Sequence, residues 1–248
     1  MNINKHINQN IMFLTFKTAN IFTTIDTRIN KSSSEQNDMI ENEFWNMISL
    51  LELVLAHNKL EEPQSIHNIS YFTEQIYKEV QLNYPKLNIS DEEIENVSKL
   101  ATIHDIGKLF TPYEILNKKG KLTKDEMDII KKHPLNGANM ALKLPKCGKA
   151  SKLVQYAYNI CLYHHERYDG QGYPKGLIGD EIPLCAQVVG LADAYDALIS
   201  ERPYKRKINH GEAVRMIVNG ECGSFSPKVI LSFIIASMNK TWIEKVSK

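Results

Sequence analysis

The 248-residue chain carries 30 Lys and Arg against 29 Asp and Glu, a formal net charge of +1, with 43% hydrophobic and 24% charged residues. That composition excludes a disordered, collagen-like or disulfide-scaffold chain, and the length is ample for one large core. The balanced charge leaves no bulk field for a DNA or RNA duplex or an anionic membrane; a small anion met by a few local cations remains open.

Residues 11–29 are rich in Ile, Phe and Thr with partial alternation, which predicts a small β-hairpin around Ala19-Asn20. The polar, serine-rich stretch Asn30 to Asp38 reads as a linker, so residues 1–38 form an N-terminal extension and 39–248 the main domain. The longest apolar run, Val229 to Met238, is about half of what a membrane helix needs. Ile11 to Leu14 lacks the basic flank and cleavage site of a signal peptide. Cys147, Cys161, Cys185 and Cys222 form no close pair and read as ordinary buried thiols. A cytoplasmic chain with no membrane partner is the expectation.

Beyond residue 38 the pattern is helical. Phe44, Met47, Ile48, Leu51, Val54 and Leu55 give a helix period over Met39 to Asn58, and Ile66 to Leu82 repeats it. Ser90-Asp-Glu-Glu93 reads as a capping box opening a helix toward His104, with Gly107 placed to stop it. Thr123-Lys-Asp-Glu126 reads as another, opening a helix that His133-Pro134 ends. Further helices are predicted at 151–164, 184–200, 209–219 and 227–239. With no alternation of strands and helices, the fold class is all-α, a helical bundle.

His67, His104-Asp105, His133, His164-His165 and Asp193 follow one another at spacings of 28 to 37 residues, about one helix and its connection each time. A bundle delivering one ligand per helix to a common interior point has this pattern. Imidazoles with a few carboxylates suit a transition metal, and seven candidates are too many for one ion, so two ions sharing a carboxylate is the economical count. Asp193 stands in the apolar segment Val188 to Asp196, where a charge is costly unless paired or metal-bound. Asp196 reads as a capping or supporting partner. His6, His57 and His210 fit no pattern and read as solvated.

The strings His104-Asp-Ile-Gly-Lys108, His133-Pro134 and His164-His-Glu-Arg-Tyr-Asp-Gly-Gln-Gly-Tyr-Pro174 resemble the HD-GYP family of metal-dependent phosphodiesterases. The resemblance continues through Leu191 to Leu198, Arg202-Pro-Tyr204 and Phe225-Ser-Pro227. It implies an HD-type helical bundle that hydrolyses cyclic di-GMP to pGpG and on to GMP. It implies two divalent transition-metal ions, Fe or Mn, on His67, His104, Asp105, His133, His164, His165 and Asp193, with Asp105 bridging. It also implies that Lys108 faces the phosphate, and that Arg202 and Lys205 bind it. Gly170, Gly172 and Pro174 make 169–179 a fixed loop, in which Asp169 and Tyr173 either line the pocket or pin the turn.

Three positions depart from the family pattern. Pro63-Gln-Ser-Ile66 replaces a Glu-Thr-Gly segment, Ser70 replaces an arginine, and Ser226 replaces the aspartate of Phe-Asp-Pro. Pro63 stands where a third metal would find a glutamate and reads as the start of the helix that carries His67, so two ions are expected. The alternatives are a non-hydrolysing cyclic dinucleotide sensor or scaffold, for instance on a diguanylate cyclase, and a phosphodiesterase preferring cyclic GMP-AMP.

Overall fold

Helix signals in the sequence become eleven α-helices in a computed structural model that describes residues 33–58, 60, 62–146, 148–201 and 207–246. They are α1 (Ser33–His57), α2 (Pro63–Asn83), α3 (Asp91–Leu100), α4 (Tyr113–Leu116), α5 (Lys124–Ile130) and α6 (His133–Ala141). α7 (Lys149–Tyr163), α8 (Leu184–Ile199), α9 (His210–Val218), α10 (Pro227–Ser237) and α11 (Lys240–Val246) complete the set. Among the described residues there is no strand, only an isolated bridge between Asp169 and Ile178. The fold is all-α, and no described helix is long and apolar enough to cross a membrane. The hairpin expected at 11–29 lies outside the described residues.

Local signals explain most helix ends, and two corrections follow. α1 begins at Ser33, inside the stretch read as a linker, because its polar first turns face solvent and Glu35 favours the positive helix end. α5 stops at Ile130 and His133 opens α6 rather than ending a helix. Pro134 has no N–H with which to continue α5, and its fixed φ suits a first turn. Thr123 and Glu126 form the full capping box on α5. At α3 only half of one forms: Ser90 Oγ accepts the Glu93 N–H at 3.1 Å, while the Glu93 carboxylate accepts from Tyr77 Oη at 2.7 Å.

The core is centred on α2 and α8. Phe72 on α2 packs against Tyr195 on α8 and Trp242 on α11, at ring-centroid distances of 4.9 and 4.6 Å, and Phe233 on α10 closes the cluster 5.2 Å from Tyr195. All four are fully buried. Aromatic pairs of this kind add about 0.5–1.5 kcal/mol each beyond area burial. They fix α2 and α8, the helices that carry His67 and Asp193. The other candidate ligands come from the opposite side, where α6 and α7 pack together and the 3-10 turn Ile106–Phe110 lies on α6. Gly107 makes that last contact possible rather than stopping a helix. A Cβ there would stand 1.9 Å from the His133 carbonyl oxygen and 2.5 Å from the Gly137 nitrogen.

Candidate metal centre

Three histidines are oriented by the backbone of their own segments. Nδ1 of His104 donates to the Ala101 carbonyl at 2.9 Å, Nδ1 of His133 to Ile130 at 2.8 Å, and Nδ1 of His164 to Ile160 at 2.9 Å. A carbonyl only accepts, so each Nδ1 holds the proton and each Nε2 presents a lone pair. Hydrogen bonds of this kind on the far nitrogen orient metal-ligating histidines.

The lone pairs converge. His133 Nε2 lies 2.9 Å from Asp105 Oδ1 and 3.4 Å from His164 Nε2. One ligand atom each from Asp105, His133, His164 and His165 falls within 4.8 Å of the others. The other oxygen of Asp105 faces the opposite way, with Oδ2 3.3 Å from His104 Nε2 and in an ion pair with Lys108 Nζ. His104 Nε2 is in turn 3.8 Å from Asp193 Oδ1. Asp105 therefore presents one oxygen to each of two ligand groups.

The electrostatics suit a cation. Burial alone would raise the Asp105 carboxyl, but Lys108, His104 and His133 outweigh it and hold the group well below the usual carboxylate range. Burial lowers His164, and lowers His165 further with help from its His164 neighbour, so both rings stay neutral. An ionised carboxylate facing neutral imidazole lone pairs needs a positive centre, and a metal ion serves all four groups at once.

A loop closes one side. Tyr173 stacks on His165 at 4.7 Å between ring centroids, and Lys131 Nζ lies over the Tyr173 ring, 5.3 Å from its centroid. Asp169 is exposed and accepts the Gln171 N–H at 3.0 Å. Tyr173 thus lines the site while Asp169 pins the turn, resolving the two roles left open by sequence. The Tyr173–Pro174 peptide is cis.

Two residues quoted in the sequence motif but given no role prove to hold this loop. Buried Glu166 accepts the backbone N–H groups of Lys175 and Leu177 at 2.7 and 3.0 Å. Arg167 donates to the carbonyls of His164 and Glu166 at 3.1 and 2.9 Å and lies 4.9 Å over the Phe225 ring. The available signal was a pair of charges directly after two buried histidines, where a charge must find partners.

Other expectations divide. His67 is exposed on α2 and stands apart from the four-residue group, so its ligand role stays a proposal. Arg202 and Lys205 lie outside the described residues. Pro63 opens α2, as its position suggested, and Glu62 is an exposed residue just before it. Cys161 and Cys185 are free and buried, whereas Cys222 is only half-buried. His57 is exposed, but His210 is not simply solvated: it is half-buried, and its Nδ1 lies 2.7 Å from Tyr195 Oη.

Residues 50–229 match the HD domain family model, nearly three-quarters of the chain. The chain belongs to the HD domain family, and within it to the HD-GYP group whose motif residues line the site described above. It is 44% identical over 152 residues to a probable cyclic di-GMP phosphodiesterase of Vibrio cholerae, covering 61% of this chain and 34% of that protein. A solved HD-GYP-type protein of Bdellovibrio bacteriovorus shares the fold at TM-score 0.50 and 20% identity, over 91% of this chain and 79% of its own. A cyclic GMP-AMP specific phosphodiesterase of V. cholerae does so at TM-score 0.56 and 18% identity, over 83% and 51%. The chain spans 34 to 41% of the length of three curated relatives that it matches.

Proposed function

We propose that this chain hydrolyses a cyclic dinucleotide, cyclic di-GMP first, to pGpG and on to GMP. The observation that carries the proposal is the split of Asp105 between two ligand groups. His133, His164 and His165 gather at Oδ1, while His104, with Asp193 beyond it, lies at Oδ2. His67 joins the second group in this reading. Two divalent transition-metal ions, Fe or Mn as the family resemblance implies, would supply Lewis acidity toward the phosphodiester and lower the pKa of water when bound.

The chain's own residues do the rest. Against the opposing effect of burial, the neighbouring Lys108 charge above all keeps Asp105 ionised. Lys108, partly exposed beside it, offers the charge that favours the trigonal-bipyramidal phosphoryl group over the ground state. Arg202 and Lys205 bind the phosphates, the arginine bidentately. The stacked Tyr173 covers His165 and limits water on that side.

The test is direct. Full-length chain, stripped and then reloaded with Fe(II) or Mn(II), is incubated with cyclic di-GMP and separately with 3'3'-cyclic GMP-AMP, and products are separated by chromatography. Metal-dependent release of pGpG from cyclic di-GMP is expected. Faster turnover of the mixed dinucleotide would reassign the substrate. Tight binding with no turnover by the two-metal form would overturn hydrolysis in favour of a sensor, with a diguanylate cyclase as its natural partner.

A further inference from the structure

Asp196 lies one helical turn beyond Asp193 on α8 and is 1% exposed. A buried carboxylate requires donors, and Asp196 has three, none of them a cation. Ser65 Oγ donates at 2.5 Å, Asn68 Nδ2 at 2.7 Å and Ser200 Oγ at 3.0 Å. Gln64 Nε2 donates to Asn68 Oδ1 at 2.8 Å, which turns the amide nitrogen of Asn68 toward Asp196. Ser65 and Asn68 stand on either side of His67 in α2. Ser200 follows the last residue of α8, and its backbone N–H closes the helix on the Asp196 carbonyl at 2.9 Å. One buried side chain therefore ties the segment bearing His67 to the helix bearing Asp193, and also holds the end of α8 from which the chain continues toward Arg202.

We infer that Asp196 is a positioning residue for the second metal ion, holding α2 against α8 so that His67 and Asp193 meet at one point. The inference rests on the proposed reading that His67 and Asp193 are ligands. Its force is geometric. A side chain about 6 Å from a helix axis moves about 1 Å for each 10° of helix rotation, whereas metal–ligand distances tolerate about 0.2 Å. The Phe72–Tyr195 contact sets the spacing of the two helices, and the directed hydrogen bonds of Asp196 set their register. Losing Asp196 should therefore change the register of α2 on α8 before it unfolds the bundle.

The experiment is a Mn(II) titration of the chelator-stripped full chain, followed by calorimetry and by the paramagnetic signature of the coupled ion pair. Thermal unfolding of each metal-free variant is measured alongside. Wild type is expected to bind two ions. Asp196→Ala removes both acceptor oxygens, so Ser65, Asn68 and Ser200 lose their shared partner, and it should weaken one of the two ions on the order of 10- to 100-fold while sparing the other. Asp196→Asn keeps one amide oxygen that can still accept from Asn68, and should retain more of the second ion than Asp196→Ala does. Two ions bound by Asp196→Ala at wild-type affinity would overturn the inference. So would equal weakening of both ions in step with a lowered unfolding temperature, which marks a purely structural role. If Asp196→Ala fails to fold, the pair Ser65→Ala with Asn68→Ala severs the same link from the α2 side, and unchanged binding there also overturns it. A wild type binding fewer than two ions would instead sink the two-ion reading itself.

Discussion

The two halves of the centre are built differently. On the α6–α7 side, two of the three histidines are held by a carbonyl three or four residues earlier in their own chain segments: His133 by Ile130 and His164 by Ile160. The candidate ligands there already converge, all buried except the half-buried His165. On the α2–α8 side, His67 is exposed and Asp193 stands 3.8 Å from its nearest candidate partner, His104. Here His104 keeps a local carbonyl, that of Ala101, but the placement of His67 and Asp193 comes from between helices, through Asp196 and the aromatic core. A site made from local hydrogen bonds survives small helix motions, whereas one made across helices depends on their register. The first half should bind metal tightly and early; the second should be the half that tuning reaches.

The largest break in that comparison is Asp105→Ala, since it removes the oxygen that each half shares. Hydrolysis should be abolished and metal content should fall in both halves, with the helical content retained by circular dichroism. Two ions per chain with normal turnover in this variant would refute the shared carboxylate. Gly107→Ala attacks the preassembled half without substituting a candidate ligand. Its Cβ would meet the His133 carbonyl oxygen at 1.9 Å, with backbone on both sides, so α6 must move. Overpacking of this kind costs about 1–3 kcal/mol, occasionally more. We expect a lowered unfolding temperature and loss of the ion at His133, measured on the same sample.

A smaller and more selective pair of changes separates chemistry from binding. Lys108→Ala should depress kcat more than it raises KM, because its charge matters most as the phosphoryl group reacts. It also removes the main cation holding Asp105 ionised, so the pH profile of activity should move upward on its acid limb. Arg202→Ala should weaken nucleotide binding by about 1–3 kcal/mol and leave metal content unchanged. Equal effects of both on affinity alone would remove the role given to Lys108.

The difference between the halves also explains what could be read from sequence. The helices and the capping box at Thr123 were legible because they are local patterns, and the ligand spacing anticipated the grouping of Asp105, His133, His164 and His165. So was the role of Pro63 in opening α2, since proline constrains its own first turn. The helix break between Ile130 and His133 was misread because periodicity runs on across it and only Pro134 marks it. Ser33 to Asp38 was read as linker because polar side chains on an exposed helical face carry no apolar period. The three donors to Asp196 come from residues up to 131 positions away, which no local pattern encodes. Glu166 and Arg167 left only the weaker signal of paired charges after two histidines, because their partners are backbone groups of a loop whose path no periodicity gives.

The mildest test of the comparison is pH, read on metal-free protein. Burial lowers His164, His165 and His210 below their unfolded values, so the unfolded chain takes up protons first as pH falls. Their stabilising contribution is therefore complete above about pH 6.5 and is lost progressively below it. Asp105 acts in another window: its lowered pKa contributes stability that remains above about pH 4, the unfolded carboxylate value, and fades only below it. Between pH 7.5 and 5.5 the unfolding temperature should fall, mainly through His164 and His165 in the preassembled half. Loading with Mn(II) should steepen the fall, because protons compete for the same Nε2 lone pairs. His210, near the α2–α8 core and away from the ligands, should account for a small remainder. Trp242 Nε1 donates to Tyr195 Oη at 3.0 Å, so the tyrosine proton goes to His210 Nδ1, a bond that protonation of the ring would break. His210→Gln keeps an acceptor but cannot titrate, and its unfolding temperature should depend slightly less on pH than that of wild type. A larger reduction than that from substituting His165 with Gln would place the pH sensitivity in the wrong half of the molecule and undo the comparison.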